Sequence, residues 1–260
     1  MSKKTIGQTI LINYTGRKGG GVLVAYETAK GLAEKGDNIV AIVSKDVENL
    51  HEWRRLDLQR LIEIDTYDSY SSFLVQSVFF RFKQRKEIIM TTQTLDINAV
   101  YCPMFTLWSY RINRILKGTR TVVAMHDPDP HSGENPLLKL HRRLFRANRI
   151  YEEADSIIVH SERFVRFVEE RFGKVGNVFH VPLGRHSMYK RVWNKRYLIE
   201  YDRNMVNFLF FGRISKYKGL DVLAKAYRDV ASKRSKVALT VAVNGNFSPY
   251  EKKFRGLPNI

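Results

Sequence analysis

Hydrophobic residues along the chain fall into two alternating patterns. Short unbroken apolar runs rich in β-branched residues read as buried strands, and between them stretches with apolar positions every three or four residues read as amphipathic helices. TILINY predicts a strand from Thr9, TGRKGGG a glycine-rich turn, VLVAYETAKGLAEKG a helix closed by Gly36, and NIVAIVS a second strand. Strand, loop, helix and strand in that order make a βαβ unit, the building block of parallel sheets. The alternation continues through LIEID, AVYCP, the helical FTLWSYRINRILKG, TVVAMH, the basic helix PLLKLHRRLFRANRIYEEA, SIIVH, the helical RFVRFVEERFG and NVFHVPLG, while Asp65 to Lys86 shows no clear period. This is the pattern of a doubly wound sheet.

From His186 to Asn204 the periodicity stops and charge accumulates. We therefore divide the chain into an N-terminal Rossmann-like domain, 1–186, a linker, 187–204, and the start of a second Rossmann-like domain, 205–260. In the second part NFLFFG and KVALTVAVNG predict strands and LDVLAKAYRDVA the helix between them, with Leu220, Leu223, Tyr227 and Val230 as its buried stripe. Two strands and one long helix do not cover both faces of a sheet, so this domain is expected to be incomplete.

Composition narrows the class. A chain of 260 residues with 44% apolar content can bury a substantial core, and 44 basic against 26 acidic residues give a net charge of +18, which favours anionic partners. One cysteine, Cys102, rules out an intrachain disulfide framework and suits a reducing compartment such as the cytoplasm. The apolar run after MSKK is too short for a signal peptide, and no stretch has the length to span a bilayer, so any membrane contact is expected to be peripheral. SVFFRFKQRKEII and LLKLHRRLFRANRI interleave apolar with basic residues. Read as helices, they fit either a core face backed by a solvated basic face or an interfacial surface on anionic lipid.

Three places could carry chemistry. In GRISKYKGLD, Arg213 lies just past a strand expected to end at Gly212, and a helix is expected to begin near Lys218 or Gly219; the strand's C-terminal edge and the helix's unsatisfied amides would both face an anion such as a diphosphate. Solvated charges flanking a helix start account for the residue types equally well, and Lys216 is more simply one of these. The loop from Gly16 to Gly21 would let a ligand approach the backbone or form a tight turn; it matches neither GxGxxG nor GxxxxGK[ST], which argues against a dinucleotide or P-loop site. His126 and Asp127 close a strand at its C-terminal end, where a histidine can donate to a substrate hydroxyl or carry a proton, or where Asp127 can simply hold a turn. Neither these two nor His131 has metal-ligand spacing.

Taken in order, the Gly-rich loop, His126-Asp127, ADSIIVHSE, HVPLG and FFGRISKYKGLDVLAKAY resemble glycosyltransferase family 4, retaining enzymes of the GT-B fold with two Rossmann-like domains. The resemblance implies that Arg213 and Lys218 hold the donor's diphosphate, that His126 lines the sugar and acceptor site with Asp127 beside it, and that Gly19, Gly20 and Gly21 form a substrate loop. It implies Gly184 as a donor contact at the end of the first domain, although Leu183-Gly184-Arg185-His186 replaces the family's common Asn-Gly and acid. No cofactor or divalent metal is implied, the nucleotide-diphosphate sugar being a co-substrate, and the family's two glutamates eight positions apart would fall beyond residue 260. The expected partners are a nucleotide-sugar donor, a glycan or lipid-linked acceptor and an anionic membrane surface at the inner face of the cytoplasmic membrane, while nucleic acid is not expected because no RNP, KH or zinc-finger signature occurs. The competing readings are a basic nucleic-acid-binding protein or a membrane-surface protein without catalysis.

Overall fold

The structure, a computed structural model, describes residues 7–80, 82–128, 148–184 and 202–260, with the backbone alone at Tyr70, Arg213 and Tyr217. These residues divide into two compact units, one ending at Gly184 and one running from Asp202. The expected linker lies outside the described residues except for Asp202–Asn204, as do the first twelve residues of the expected basic helix. That helix's described end is the short α6, Arg149–Glu152, and the expected helix RFVRFVEERFG is α7, Val165–Phe172.

The first unit is a seven-stranded parallel sheet in the order β3-β2-β1-β4-β5-β6-β7. Its strands are β1 (Thr9–Asn13), β2 (Asn38–Ser44), β3 (Arg60–Ile64), β4 (Ala99–Cys102), β5 (Arg120–Met125), β6 (Ser156–Val159) and β7 (Val178–His180). All seven are expected from the apolar runs. Alternate residues serve opposite faces. Ile12, Ile39, Ala41 and Val43 pack under α1 (Gly20–Glu34) with Trp53, whereas Leu11, Val40, Ile42, Ile62 and Val100 meet Phe73, Phe80, Ile88, Trp108 and Ile112 on the other side. The second group comes from α3 (Tyr70–Phe79), α4 (Gln84–Thr92), and α5 (Ser109–Ile115) with its cap Trp108. α2 (Leu50–Trp53) has no sequence signature of its own and exists to carry Trp53, which is fully buried edge-on against Tyr26.

The region without a clear period is thus two helices, not one. α3 ends at Phe79 because the chain turns there to bring Phe80 onto Trp108, ring centroids 4.9 Å apart, and α4 restarts so that Gln84 and Ile88 face inward. Strand order reverses between β1 and β4, the point at which a doubly wound sheet opens a crevice beyond its strand C-termini.

The second unit pairs β8 (Val206–Arg213) with β9 (Val237–Asn244) in parallel, flanked by α8 (Leu220–Lys233) and α9 (Ser248–Phe254). α9 was not expected from the sequence; its Phe254 closes a core with Leu220, Ala224, Tyr227, Val237 and Leu239. Leu223 and Val230 of the expected stripe are partly buried against that core, and Ala224 takes the place inside it. The strand runs one residue further than expected, so Arg213 is its last residue, in register with Asn244. The helix begins later than expected, at Leu220, after a 3-10 turn Lys216–Lys218 and Gly219, whose φ of 70° favours glycine.

Candidate functional site

A cavity of about 800 Å³ opens at the switch point of the sheet. Its walls come from the loop after β1 (Tyr14 to Lys18), the loop after β3 (Tyr67 to Ser69) with Phe73 of α3, and the loop after β4 (Phe105 to Leu107). All three loops leave the same strand edge because the strands are parallel, so one sheet end gathers aromatic side chains and two cations. Tyr67 is fixed by edge contacts to Phe73 at 4.9 Å and to Trp108 at 5.1 Å, and burial pushes its phenol up to about 12. Arg17 donates to the Tyr67 carbonyl at 3.3 Å and lies 3.7 Å from Asp46, while Lys18 is exposed at the mouth. Thr15 and Thr106 tie the first and third loops together by a 2.6 Å hydroxyl contact.

The glycines of the first loop have separate reasons. A Cβ on Gly16 would stand 2.1 Å from the Tyr14 hydroxyl, and one on Gly21 would meet it at 2.5 Å and Met104 Sδ at 2.4 Å. These two positions are glycine so that Tyr14 can fold back against the loop. Burial, and after it the charge of Glu48, raises the Tyr14 phenol well above its ordinary value. Gly19 has φ 90° and precedes α1, a conformation L side chains rarely adopt. Gly20 alone is neither left-handed nor crowded, since a Cβ there meets nothing within 4 Å. The Gly19 amide donates to Glu48 Oε1 at 3.0 Å, so the anion at this helix start is the chain's own carboxylate. Gly16, Arg17 and Lys18 line the cavity, and Gly19, Gly20 and Gly21 lead from it into α1.

His126 follows β5 at the same sheet edge. Its Nε2 lies 2.7 Å from the Pro103 carbonyl, which can only accept, so Nε2 carries the proton and Nδ1 is the basic nitrogen. His160, which ends the SIIVH run after β6, donates from Nδ1 to the Val181 carbonyl at 2.8 Å and turns its bare Nε2 to His126 Nε2 at 3.4 Å. Burial first, and the neighbouring His160 as well, hold His126 below its usual pKa against the opposing pull of the Pro103 carbonyl and Asp127. Asp127 is exposed beside it. His160 was missed in the sequence, although the signal was present: like His126 it terminates a parallel strand on the ligand-facing edge.

Gly184 lines a different cavity of about 640 Å³, floored by Tyr101, Val122 and Ile158 and bordered by α1, His160 and Val181 to Leu183. In the second unit Arg213 closes β8, and Lys218 lies in the turn that leads into the N-terminus of α8, so both belong to the strand-to-helix junction. Among the described residues no three His, Cys, Asp or Glu side chains converge as a metal site. Nor does any described helix have the length and apolarity to cross a membrane.

The fold has known counterparts. HepE from Anabaena, solved with UDP and glucose, superposes with a TM-score of 0.59 at 15% identity over 95% of this chain and 64% of its own. A TarM variant from S. aureus, solved with fondaparinux, α-GlcNAc-glycerol and UDP, gives 0.57 at 9% identity over 95% of this chain and 74% of its own. UDP-GlcNAc 2-epimerase from Neisseria meningitidis, bound to UDP-GlcNAc, gives 0.61 at 8% identity over 97% and 71%. The fold is therefore α/β of the GT-B type, shared by glycosyltransferases and epimerases. The chain spans 64% of the length of HepE. No curated protein sequence matches it significantly. The sequence profile of Glycosyltransferase Family 4 matches residues 18–197, more than half of the chain, and the protein belongs to that family.

Proposed function

We propose that the protein takes part in transfer of a sugar, with retention, from a nucleoside-diphosphate sugar to a glycan or lipid-linked acceptor of the cell envelope, at the inner face of the cytoplasmic membrane. The observation that carries this is the cavity at the β1/β4 switch point, where Tyr14, Tyr67, Phe73 and Phe105 stand beside Arg17 and Lys18. Aromatic faces suit the apolar face of a sugar ring or an isoprenoid-like tail, and the two cations suit a phosphate or carboxylate carried by the acceptor. The Glu48 carboxylate on the Gly19 amide disfavours a second anion there, so this reading assigns Gly19, Gly20 and Gly21 to the acceptor loop and not to the donor phosphates.

The donor falls to the second part, 205–260. Arg213, at the end of β8, and Lys218, in the turn before α8, are assigned to the diphosphate, where two cations and a helix N-terminus offset charge on the leaving group. The UDP held by HepE and by TarM supports a nucleoside diphosphate as the donor class. His126, with Nε2 already donating to Pro103, would meet a sugar hydroxyl through Nδ1 as acceptor, with Asp127 stabilising positive charge nearby; Gly184 is assigned a weaker donor contact. In the transfer step the acceptor oxygen bonds to the anomeric carbon on the face from which the diphosphate leaves. The anomeric C–O bond to phosphate breaks, and the acceptor proton passes to the departing phosphate oxygen.

Calorimetric titration of UDP- and GDP-sugars into the protein and into the Arg213→Ala, Lys218→Ala variant tests this assignment. Loss of two charge-assisted contacts is expected to weaken donor binding by roughly a hundredfold or more. Equal affinity in both proteins would overturn it.

A further inference from the structure

The inner side of the α3–α4 hairpin is firmly anchored. Phe73, Phe80 and Trp108 are buried together, Trp108 Nε1 donates to Ser77 Oγ at 3.0 Å, and Lys83 binds Asp65 at 2.6 Å. Its outer side is apolar and, among the described residues, without a cover. Leu74, Val75, Val78 and Phe79 recur at helical spacing on one face of α3, and Phe82 continues the stripe towards α4. Val78 is 62% exposed, Phe82 74% and Met90 58%, values more typical of surface lysines than of these residue types. A groove of about 570 Å³ runs between Phe82, Met90 and the stems of Lys83 and Lys86, with Glu87 and Thr91 also on its wall. Arg85 and Lys86 are exposed on the same helix. A contiguous apolar patch rimmed by polar groups marks an interaction surface.

We propose that this face of α3 and α4 is a docking surface for an anionic lipid bilayer. The charge pattern selects that occupant. Phe79 and Phe82 enter the boundary between headgroups and acyl chains, where a helix can lie flat, and Arg85 and Lys86 meet anionic headgroups. A second copy of the chain would bring the same Arg85 and Lys86 against themselves across a two-fold axis, which a net charge of +18 aggravates. α3 also joins this surface to the cavity, since Phe73 faces the cavity while Leu74 and Val75 face out. An acceptor anchored in the bilayer would thereby be presented beside the site, a link that rests on the transferase reading.

Flotation with vesicles of phosphatidylcholine, alone or mixed with phosphatidylglycerol, tests the surface in the absence of donor and acceptor. The protein is expected to float with the mixed vesicles and not with the neutral ones. Phe79→Asp with Phe82→Asp, and separately Arg85→Glu with Lys86→Glu, should each weaken partitioning by about tenfold or more while leaving the thermal midpoint and donor affinity unchanged. Flotation unaltered by both pairs, or equal on neutral vesicles, would overturn the proposal. So would a dimer in sedimentation velocity that Phe79→Asp with Phe82→Asp dissolves, because the occupant would then be a second copy. Because binding to vesicles is read without nucleotide, its failure leaves the transferase reading standing, and loss of donor binding leaves the membrane surface standing.

Discussion

At the scale of single residues, the glycines of the first loop show how one motif can serve unrelated needs. Gly21→Ala sets a methyl group 2.4 Å from Met104 Sδ and 2.5 Å from the Tyr14 hydroxyl, and is expected to cost about 1–3 kcal/mol in urea unfolding. Gly20→Ala meets open space in a helix and should leave stability unchanged or slightly raised. If the loop contacts the acceptor, Gly20→Ala should still raise the acceptor KM, a separation that steady-state kinetics reads directly. His126 supplies the pH dependence. Its pKa in the folded protein is below the unfolded value of 6.5, so the unfolded chain binds the proton first as pH falls. Stability should therefore decline as pH drops through about 6.5, and His126→Asn should flatten that decline when urea midpoints are compared at about pH 7.5 and about pH 5.5.

At the scale of elements, the α3 start is held by a reciprocal pair of serines. Ser72 N–H donates to Ser69 Oγ at 3.2 Å, and Ser69 N–H donates to Ser72 Oγ at 3.0 Å, while Asp68 accepts from the Ser72 hydroxyl at 2.7 Å. Ser69→Ala is expected to cost about 1 kcal/mol and to increase amide exchange in the first turn of α3, as hydrogen exchange would show. Since Asp68, Ser69 and Phe73 all line the cavity, fraying of this turn should also weaken acceptor binding. Sequence periodicity could not resolve α3, because its outward face, with Leu74, Val75, Val78 and Phe79, is as apolar as the inward one. A helix with apolar residues all round gives no phase from which to read which side is buried.

At the scale of the whole molecule, the surplus of 18 positive charges acts on any anionic ligand over distances longer than a contact. Donor affinity should fall as salt is raised, because screening reaches about 10 Å at 0.1 M ionic strength. With Arg213, Lys218 and the α8 N-terminus assigned to the diphosphate, we expect EDTA to leave sugar transfer unchanged, which a product assay with and without chelator would check. In the second unit, one face of β8–β9 carries Leu209 and Phe211, 63% and 74% exposed among the described residues, whereas a parallel sheet ordinarily buries both faces.

The sequence by itself determined the seven strands of the first unit, their parallel connection and the strand-end positions of His126 and Arg213. Apolar runs and the spacing of glycines are local signals, and a βαβ chain has few ways to be wound. The sequence could not tell that Gly16 and Gly21 make room for Tyr14, that Glu48 occupies the Gly19 amide, or that His160 faces His126. The first depends on how the loop folds back on itself, and the other two on residues 29 and 34 positions apart being brought together by parallel strands, where nothing in local spacing encodes the partner. Only the tertiary structure decided which face of α3 the aromatic cluster claims, and so which face is left for a partner.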